Sequence, residues 1–256
     1  MVNKQKIIII TQARLGSKRL PNKILLKIKD ESILSIHLNR LKKSKLSNKI
    51  ILATTFEKNI NTVLKIAKEK EIEIFQGSAE NVLDRFYNAA KIYSPNYVVR
   101  VTSDCPLIDP ILIDEIINYS STNELDYVSN TLLQNFPDGQ DIEVFKFKAL
   151  EFAYKKARLN SEKEHVTPFI IKNSTYKGGK IFRSSTFRDN VDFGKVRMTL
   201  DTEKDYESLI KLIKKLGKEA SWEEYANYYI ENLNMFNNKN IVRNEGYLNS
   251  LKKDKT

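Results

Sequence analysis

The sequence predicts an α/β fold built on a mostly parallel sheet with helices on both faces. Three observations carry that reading. Short continuous apolar runs alternate with helix-period runs over roughly the first 125 residues. The first run, Ile7-Ile8-Ile9-Ile10, is apolar at every position, as strands covered on both faces are. Polar loops follow three strand ends, at 11–23, 54–59 and 102–109, which is where ligands bind in doubly wound sheets.

Each element follows from its period. Residues 7–11 read as the first strand, and 33–43 as a helix carrying Ile33, Ile36, Leu38 and Leu41 on one face. Residues 49–54 form a strand, 60–70 a helix and 73–75 a short strand. Residues 79–92 form a helix with Val82, Phe86, Ala89 and Ala90 on one side, followed by a strand at 97–102 and a helix at 111–120. Parallel strands need crossover connections, so this alternation implies a parallel sheet. The second half is less regular. Strands at 126–129 and 141–145 flank a Pro137-Asp138-Gly139 turn. Helices follow at 148–158 and 161–172, the latter opened by a capping box from Ser161 and Glu164. Strands at 180–183 and 195–200 precede closing helices at 202–216 and 221–233.

Composition sets outer bounds. With 41% hydrophobic and 29% charged residues in 256, the chain reads as one folded domain over 1–256, loosening from about 250 onward. No apolar run approaches the ~20 residues that span a bilayer, and no cleavage site follows the first apolar run, so no membrane association is expected. Cys105 is the single cysteine, which excludes an intrachain disulfide and thiolate metal clusters and fits a cytoplasmic location. The +11 net charge suits either a lysine-rich surface or attraction to an anion. The lysines are dispersed, which weighs against nucleic acid as the partner.

Three places bear candidate chemistry. The loop 12–23 carries Arg14, Lys18, Arg19 and Lys23, with Gly16 and Ser17 between them. Small residues let backbone amides approach a ligand, and the cations would neutralise a polyphosphate; the competing reading is a solvated basic loop. Walker A and G-x-G-x-x-G patterns are absent from the sequence. Asp104 stands just past the strand ending at Thr102, and Asp201 just past 195–200. Such carboxylates suit a hard divalent cation, Mg²⁺ above all, which takes one or two of them plus phosphate oxygens. They equally suit turn or helix-start positions, and the spacing leaves both readings open. His165 and His37 have no partner pattern, and Cys105 lies in no electropositive setting.

Taken together the motifs resemble the cytidylyltransferase family typified by spore-coat polysaccharide biosynthesis proteins, relatives of the CMP-sialic acid and CMP-3-deoxy-octulosonate synthetases. The matching segments are Gln-Ala-Arg-x-x-Ser-x-Arg-Leu-Pro-x-Lys at 12–23, Leu-Ala-Thr-Thr at 52–55, Gly-Ser-x-x-x-Val-Leu-Asp-Arg at 77–85 and Arg-Val-Thr-x-Asp-Cys-Pro-Leu-Ile-Asp at 100–109. They continue with Pro-Asp-Gly-x-Asp-x-Glu at 137–143, Glu-His-Val-Thr-Pro-Phe at 164–169, Thr-Leu-Asp-Thr at 199–202 and Arg-Asn-Glu-Gly-Tyr at 243–247. Ser103 and Asn22 stand where glycine is frequent in relatives.

The resemblance implies a three-layer, Rossmann-like nucleotide-diphospho-sugar transferase fold that transfers CMP from CTP to an acidic sugar or related acceptor, with Mg²⁺ as cofactor. Arg14, Lys23 and Asp104 would be catalytic. Ala13, Arg14, Gly16, Ser17, Lys23 and Thr102 would line the nucleotide, and Ala53 and Thr54 the cytosine. Asp84 and Arg85 match a loop closing over the nucleotide. Asp104 and Asp201 match the metal carboxylates, and Asp141, Glu143 and His165 lie toward the acceptor. A homodimer is the expectation by analogy. Alternatives are a same-fold enzyme activating a phosphonate or another non-sugar acid, a glycosyltransferase, and a nucleic-acid-binding protein.

Overall fold

The computed structural model describes residues 5–17, 19–188, 190, 192–239, 241 and 243–254. Its strands are β1 (Ile7–Gln12), β2 (Lys27–Ile28), β3 (Glu31–Ser32), β4 (Lys49–Thr54), β5 (Glu73–Gln76), β6 (Tyr97–Thr102), β7 (Tyr127–Ser129), β8 (Glu143–Lys146) and β9 (Ser184–Thr186). Its α-helices are α1 (Ile33–Leu41), α2 (Asn61–Glu69), α3 (Val82–Lys91), α4 (Pro110–Thr122) and α5 (Phe147–Lys156). They continue with α6 (Asn160–His165), α7 (Pro168–Lys172), α8 (Glu203–Leu216), α9 (Trp222–Glu231) and α10 (Glu245–Lys253).

Among the described residues, seven strands form one sheet in the order β5-β4-β1-β6-β8-β7-β9, and β2 and β3 make a small hairpin. The β5, β4, β1 and β6 pairs are parallel. β8 is antiparallel to both of its neighbours, and β9 is parallel to β7. Only β8 therefore runs against the rest, so the sheet is mostly parallel, as the alternating pattern implies. The chain steps outward from β1 to β4 and β5, then returns to β6 on the other side of β1. The switch point thus lies between β1 and β6, where the strand ends part to form a crevice.

The sheet separates two helical layers. Leu34 and Leu38 of α1, Ile113 and Ile116 of α4, Leu209 and Leu212 of α8 and Trp222 of α9 pack against Ile9, Leu52 and Val99. On the opposite face, Phe86 of α3, Leu150 of α5 and Ile170 of α7 pack against Ile8, Ile10, Ile51 and Val98. Ile7 to Thr11 of β1 are buried between the two layers, which accounts for the unbroken isoleucine run.

Several elements depart from the sequence reading. The helix expected over 161–172 is two helices, because Val166 adopts φ 70° and Pro168, which opens α7, lacks an amide to continue the ladder. Ser161 does not cap it. The Glu162 carboxylate accepts from Arg158 N at 2.8 Å and Leu159 N at 3.1 Å instead. The strand placed at 180–183 falls at β9, and residues 195–200 make a single bridge, Asp138 to Arg197, rather than a ladder. The segment read as a loose tail from about 250 is helical to Lys253, with Asp254 Oδ1 accepting from Ser161 N at 3.1 Å; residues 255 and 256 lie outside the described residues. No helix among them is long and apolar enough to cross a membrane.

Candidate active site

The loop after β1 turns sharply at once. Leu15 O accepts from Ser17 N at 2.8 Å and from Asn22 N at 3.2 Å. Asn22 sits in the left-handed region at φ 55°, which asparagine tolerates better than most non-glycine residues. Asn22 therefore suits this turn. The turn delivers Lys23 onto the crevice between β1 and β6.

The loop after β6 brings Asp104 to the same place. Leu200 N donates to Asp104 O at 2.8 Å, which docks residues 199–201 beside it. Lys23 Nζ then donates to Asp104 Oδ2 at 2.7 Å and to Asp201 Oδ1 at 2.8 Å. Burial pushes the Asp104 carboxyl up, but Lys23 outweighs it and holds the group well below the ordinary range. The Lys23 ammonium is driven down by burial and up by both aspartates, and ends above its usual value.

Further charges brace this centre. Arg19 reaches Asp201 Oδ1 at 3.0 Å and Glu245 at 2.8 Å. Arg197 holds Asp201 Oδ2 at 3.1 Å, Asp205 Oδ1 at 2.8 Å, and Asp138. Arg243 pairs with Asp141. Gly139 is required at this junction: at φ 111° its Cβ would stand 2.7 Å from the backbone of Met198 and Thr199.

A second group orders the start of the loop after β1. The Glu57 carboxylate accepts from Leu15 N at 2.9 Å and Gly16 N at 3.2 Å, and its other oxygen from Thr55 Oγ1 at 2.7 Å. Behind the crevice His37 is fully buried. Cys105 O can only accept, so His37 Nδ1 donates to it at 2.9 Å, and Nε2 accepts from Thr11 Oγ1 at 2.8 Å. Burial lowers the His37 pKa to about 4, which leaves a neutral strut between β1 and the loop after β6. Burial raises the Cys105 thiol well above its ordinary value, consistent with an inert side chain.

The residues named from sequence divide accordingly. Lys23, Asp104 and Asp201 converge directly. Ala13 is buried at the β1 end, while Arg14, exposed, and Ser17, half-buried, lie on the same loop. Thr102 Oγ1 lies 3.4 Å from Cys105 Sγ. Ala53 is paired in register with Gln12. Thr54 lies on the opposite face by strand alternation, and its carbonyl accepts from Gly77 N at 2.9 Å. Asp84 and Arg85 are not on a loop: Asn81 caps α3 by accepting from Asp84 N at 3.0 Å, placing both residues in its first turn. Arg85 is buried and donates to Ser78 O at 2.5 Å. Asp141 is engaged by Arg243. Glu143 is buried and taken up by Arg100, Tyr127 Oη at 2.7 Å and Thr167 Oγ1 at 2.6 Å. His165 stacks edge-on against Tyr247 with ring centroids 5.1 Å apart.

The sequence reading did not single out Glu57, Arg100, Arg197 and Arg243. Arg100 and Arg243 stand within the quoted motifs, so their charge was visible there. Glu57 stands in the polar loop at 54–59, outside any quoted motif, and Arg197 carries no such signal.

The paired carboxylates fit a hard cation. Asp104 and Asp201 already meet around one positive group, the Lys23 ammonium, and Mg²⁺ takes such a pair when phosphate oxygens supply other ligands. Among the described residues no group of three or more His, Cys, Asp or Glu side chains could hold a metal.

The fold is a three-layer, Rossmann-like α/β sheet with Lys23 and the paired carboxylates at its switch point. The chain belongs to the cytidylyltransferase family, whose model matches residues 8–244. It is 43% identical over 212 residues to an uncharacterized protein of Methanocaldococcus jannaschii, covering 82% of this chain and 84% of that one. It is 32% identical over 218 residues to the spore coat polysaccharide biosynthesis protein SpsF of Bacillus subtilis, covering 83% and 88% respectively. A cytidylyltransferase structure from Leptospira borgpetersenii superposes with a TM-score of 0.86 at 35% identity, covering 93% of this chain and all of that one.

Proposed function

We propose that this chain transfers CMP from CTP to an acidic sugar or related acceptor, releasing pyrophosphate, in the assembly of a surface polysaccharide or glycoconjugate. The observation that carries the reading is the meeting of Lys23 with Asp104 and Asp201 at the β1/β6 switch point. Family membership and the likeness to a spore coat polysaccharide protein support it.

An acceptor oxygen attacks the α-phosphorus of CTP, the bond to the β-phosphate oxygen breaks, and pyrophosphate leaves. Negative charge accumulates on the phosphate oxygens and the leaving group. Arg14 and Lys23 sit on the loop that would carry the triphosphate, where fixed cations lower the cost of that charge. The Leu15 and Gly16 amides, ordered by Glu57, keep the loop in one shape. Asp104 and Asp201 would hold Mg²⁺, which supplies Lewis-acid neutralisation of phosphate charge when bound. Little covalent chemistry falls to the protein, so positioning dominates. Asp141 and His165 face the acceptor in this reading. Glu143 acts behind them by fixing Arg100.

The test is incubation of the chain with each nucleoside triphosphate, Mg²⁺ and a panel of acidic sugars, measuring pyrophosphate. CTP-dependent release with one acceptor supports the reading. A chain that leaves every nucleoside triphosphate intact but releases a nucleoside diphosphate from a nucleotide-sugar donor would instead be a glycosyltransferase. Asp201→Asn should shift the Mg²⁺ titration, and superimposable curves for variant and parent would remove the metal role.

A further inference from the structure

Buried side-chain atoms without a hydrogen-bond partner among the described residues include Gln12 Oε1, Arg85 Nε, Arg100 Nε and His165 Nε2. These four belong to one side of the sheet. Alternation along β1 puts Gln12 on the face of Ile8 and Ile10. Those isoleucines pack with Leu83 and Phe86 of α3, which flank Arg85, and with Val166, which follows His165. Arg100 is paired in register with Ile10 and alternates with Val98, which lies in the same cluster. Arg14 acts electrostatically on both Arg85 and His165, so the loop after β1 borders the same space.

Gln12 lies at the centre of this wall. It is in register with Ala53 on one side and Thr102 on the other, at the carboxyl end of the central strand. A buried acceptor without a donor lowers stability, and folded chains keep few of them. A triphosphate cannot satisfy it, because phosphate oxygens only accept. The nucleoside can, through the exocyclic amine of the base or the ribose hydroxyls.

We propose that Gln12 is a nucleoside-binding residue whose Oε1 accepts a hydrogen bond from a donor on the base or ribose of the bound nucleotide. The assignment rests on CTP being the substrate. Titration calorimetry of CTP with Mg²⁺ tests it on parent and Gln12→Met, which keeps the side-chain length and removes both polar atoms. Loss of one such hydrogen bond should weaken CTP binding about fivefold to tenfold. The thermal midpoint should hold or rise, because an unsatisfied buried oxygen has been removed. Gln12→Leu repeats the measurement should methionine disturb the packing.

Parallel titrations with UTP and 2′-deoxy-CTP separate the two donors. If the amine is the donor, the preference for CTP over UTP narrows in the variant. If a ribose hydroxyl is the donor, CTP and UTP weaken together. Equal CTP affinity in parent and variant overturns the assignment while leaving the cytidylyl reading intact. A parent chain that binds no CTP defeats that reading first, and this assignment with it.

Discussion

Replacing Lys23 with methionine isolates the electrostatics of the centre. In the parent, Lys23 Nζ lies 2.7 Å from Asp104 and 2.8 Å from Asp201, with a side chain 12% exposed. The two aspartates lose unequally. Asp201 keeps Arg19 at 3.0 Å and Arg197 at 3.1 Å. Asp104 keeps hydrogen bonds from the Thr102 side chain and its own backbone amide, with Cys105 Sγ at 3.8 Å, but Lys23 is its one ion pair among the described residues. The cost should therefore concentrate on one partly buried carboxylate, about 1.5–3 kcal/mol for a lost hydrogen bond to a charged group. We expect Lys23→Met to lower unfolding free energy by about 2 kcal/mol in urea at neutral pH with chelator present. The pH dependence has a definite sign. The Asp104 pKa is depressed in the folded chain, so its contribution is present above the ordinary carboxylate pKa and fades as the pH falls through the lower folded value. The gap between parent and variant should narrow in acid. Asp104→Asn should cost less in the Lys23→Met background than in the parent. Equal costs in both backgrounds, or a variant within 0.5 kcal/mol of the parent (about the limit for a surface substitution), would refute the reasoning.

Other expectations follow from the same geometry. Gly139→Ala meets backbone at 2.7 Å from a position with φ 111°, so it should destabilise by at least about 1–3 kcal/mol and cut activity through Asp201, measured by urea unfolding and pyrophosphate release. His37 and His165 both have pKa values lowered to about 4 by burial. The unfolded chain takes those protons first, so stability should fall as the pH drops from about 6.5 toward 4, by up to about 1.4 kcal/mol per pH unit for each histidine. His37→Phe should flatten that slope, and an unchanged slope would exclude His37 as its source. Glu57→Gln should weaken the hold on the Leu15 and Gly16 amides, which lie 2.9 and 3.2 Å from its carboxylate, and speed their hydrogen exchange; unchanged exchange at both amides would show that Glu57 does not order the loop.

The β-α alternation was legible because burial leaves a local trace. Ile7 to Ile10 are apolar throughout because β1 is covered by helices on both faces, and Val82, Phe86 and Ala89 recur at helical spacing because α3 has one buried side. Strand-end chemistry was legible for the same reason: Asp104 follows β6 almost at once, Asp201 follows the run 195–200, and Lys23 closes the polar loop that leaves β1. The second half was harder. Residues 195–200 alternate polar and apolar as a half-buried strand does, yet they make one bridge rather than a ladder, because burial of Val196, Met198 and Leu200 in the core with α8 and α9 selects the same alternation that a strand would. Asp84 and Arg85 fall within the helix that periodicity placed at 79–92, and it was the resemblance, not the local pattern, that implied a loop there.

What the amino-acid order determined by itself was the class of fold and the residue types at each strand end. Only the tertiary structure decided which of them meet. Lys23 and Asp201 are 178 residues apart, and nothing local to either specifies the other. Their contact depends on β6 lying beside β1 and on Leu200 docking against Asp104, both products of packing across the whole sheet. The same packing turned Glu143 inward to Arg100 and closed Arg243 onto Asp141. Periodicity reports how a segment meets solvent, whereas convergence depends on the order in which strands are laid down.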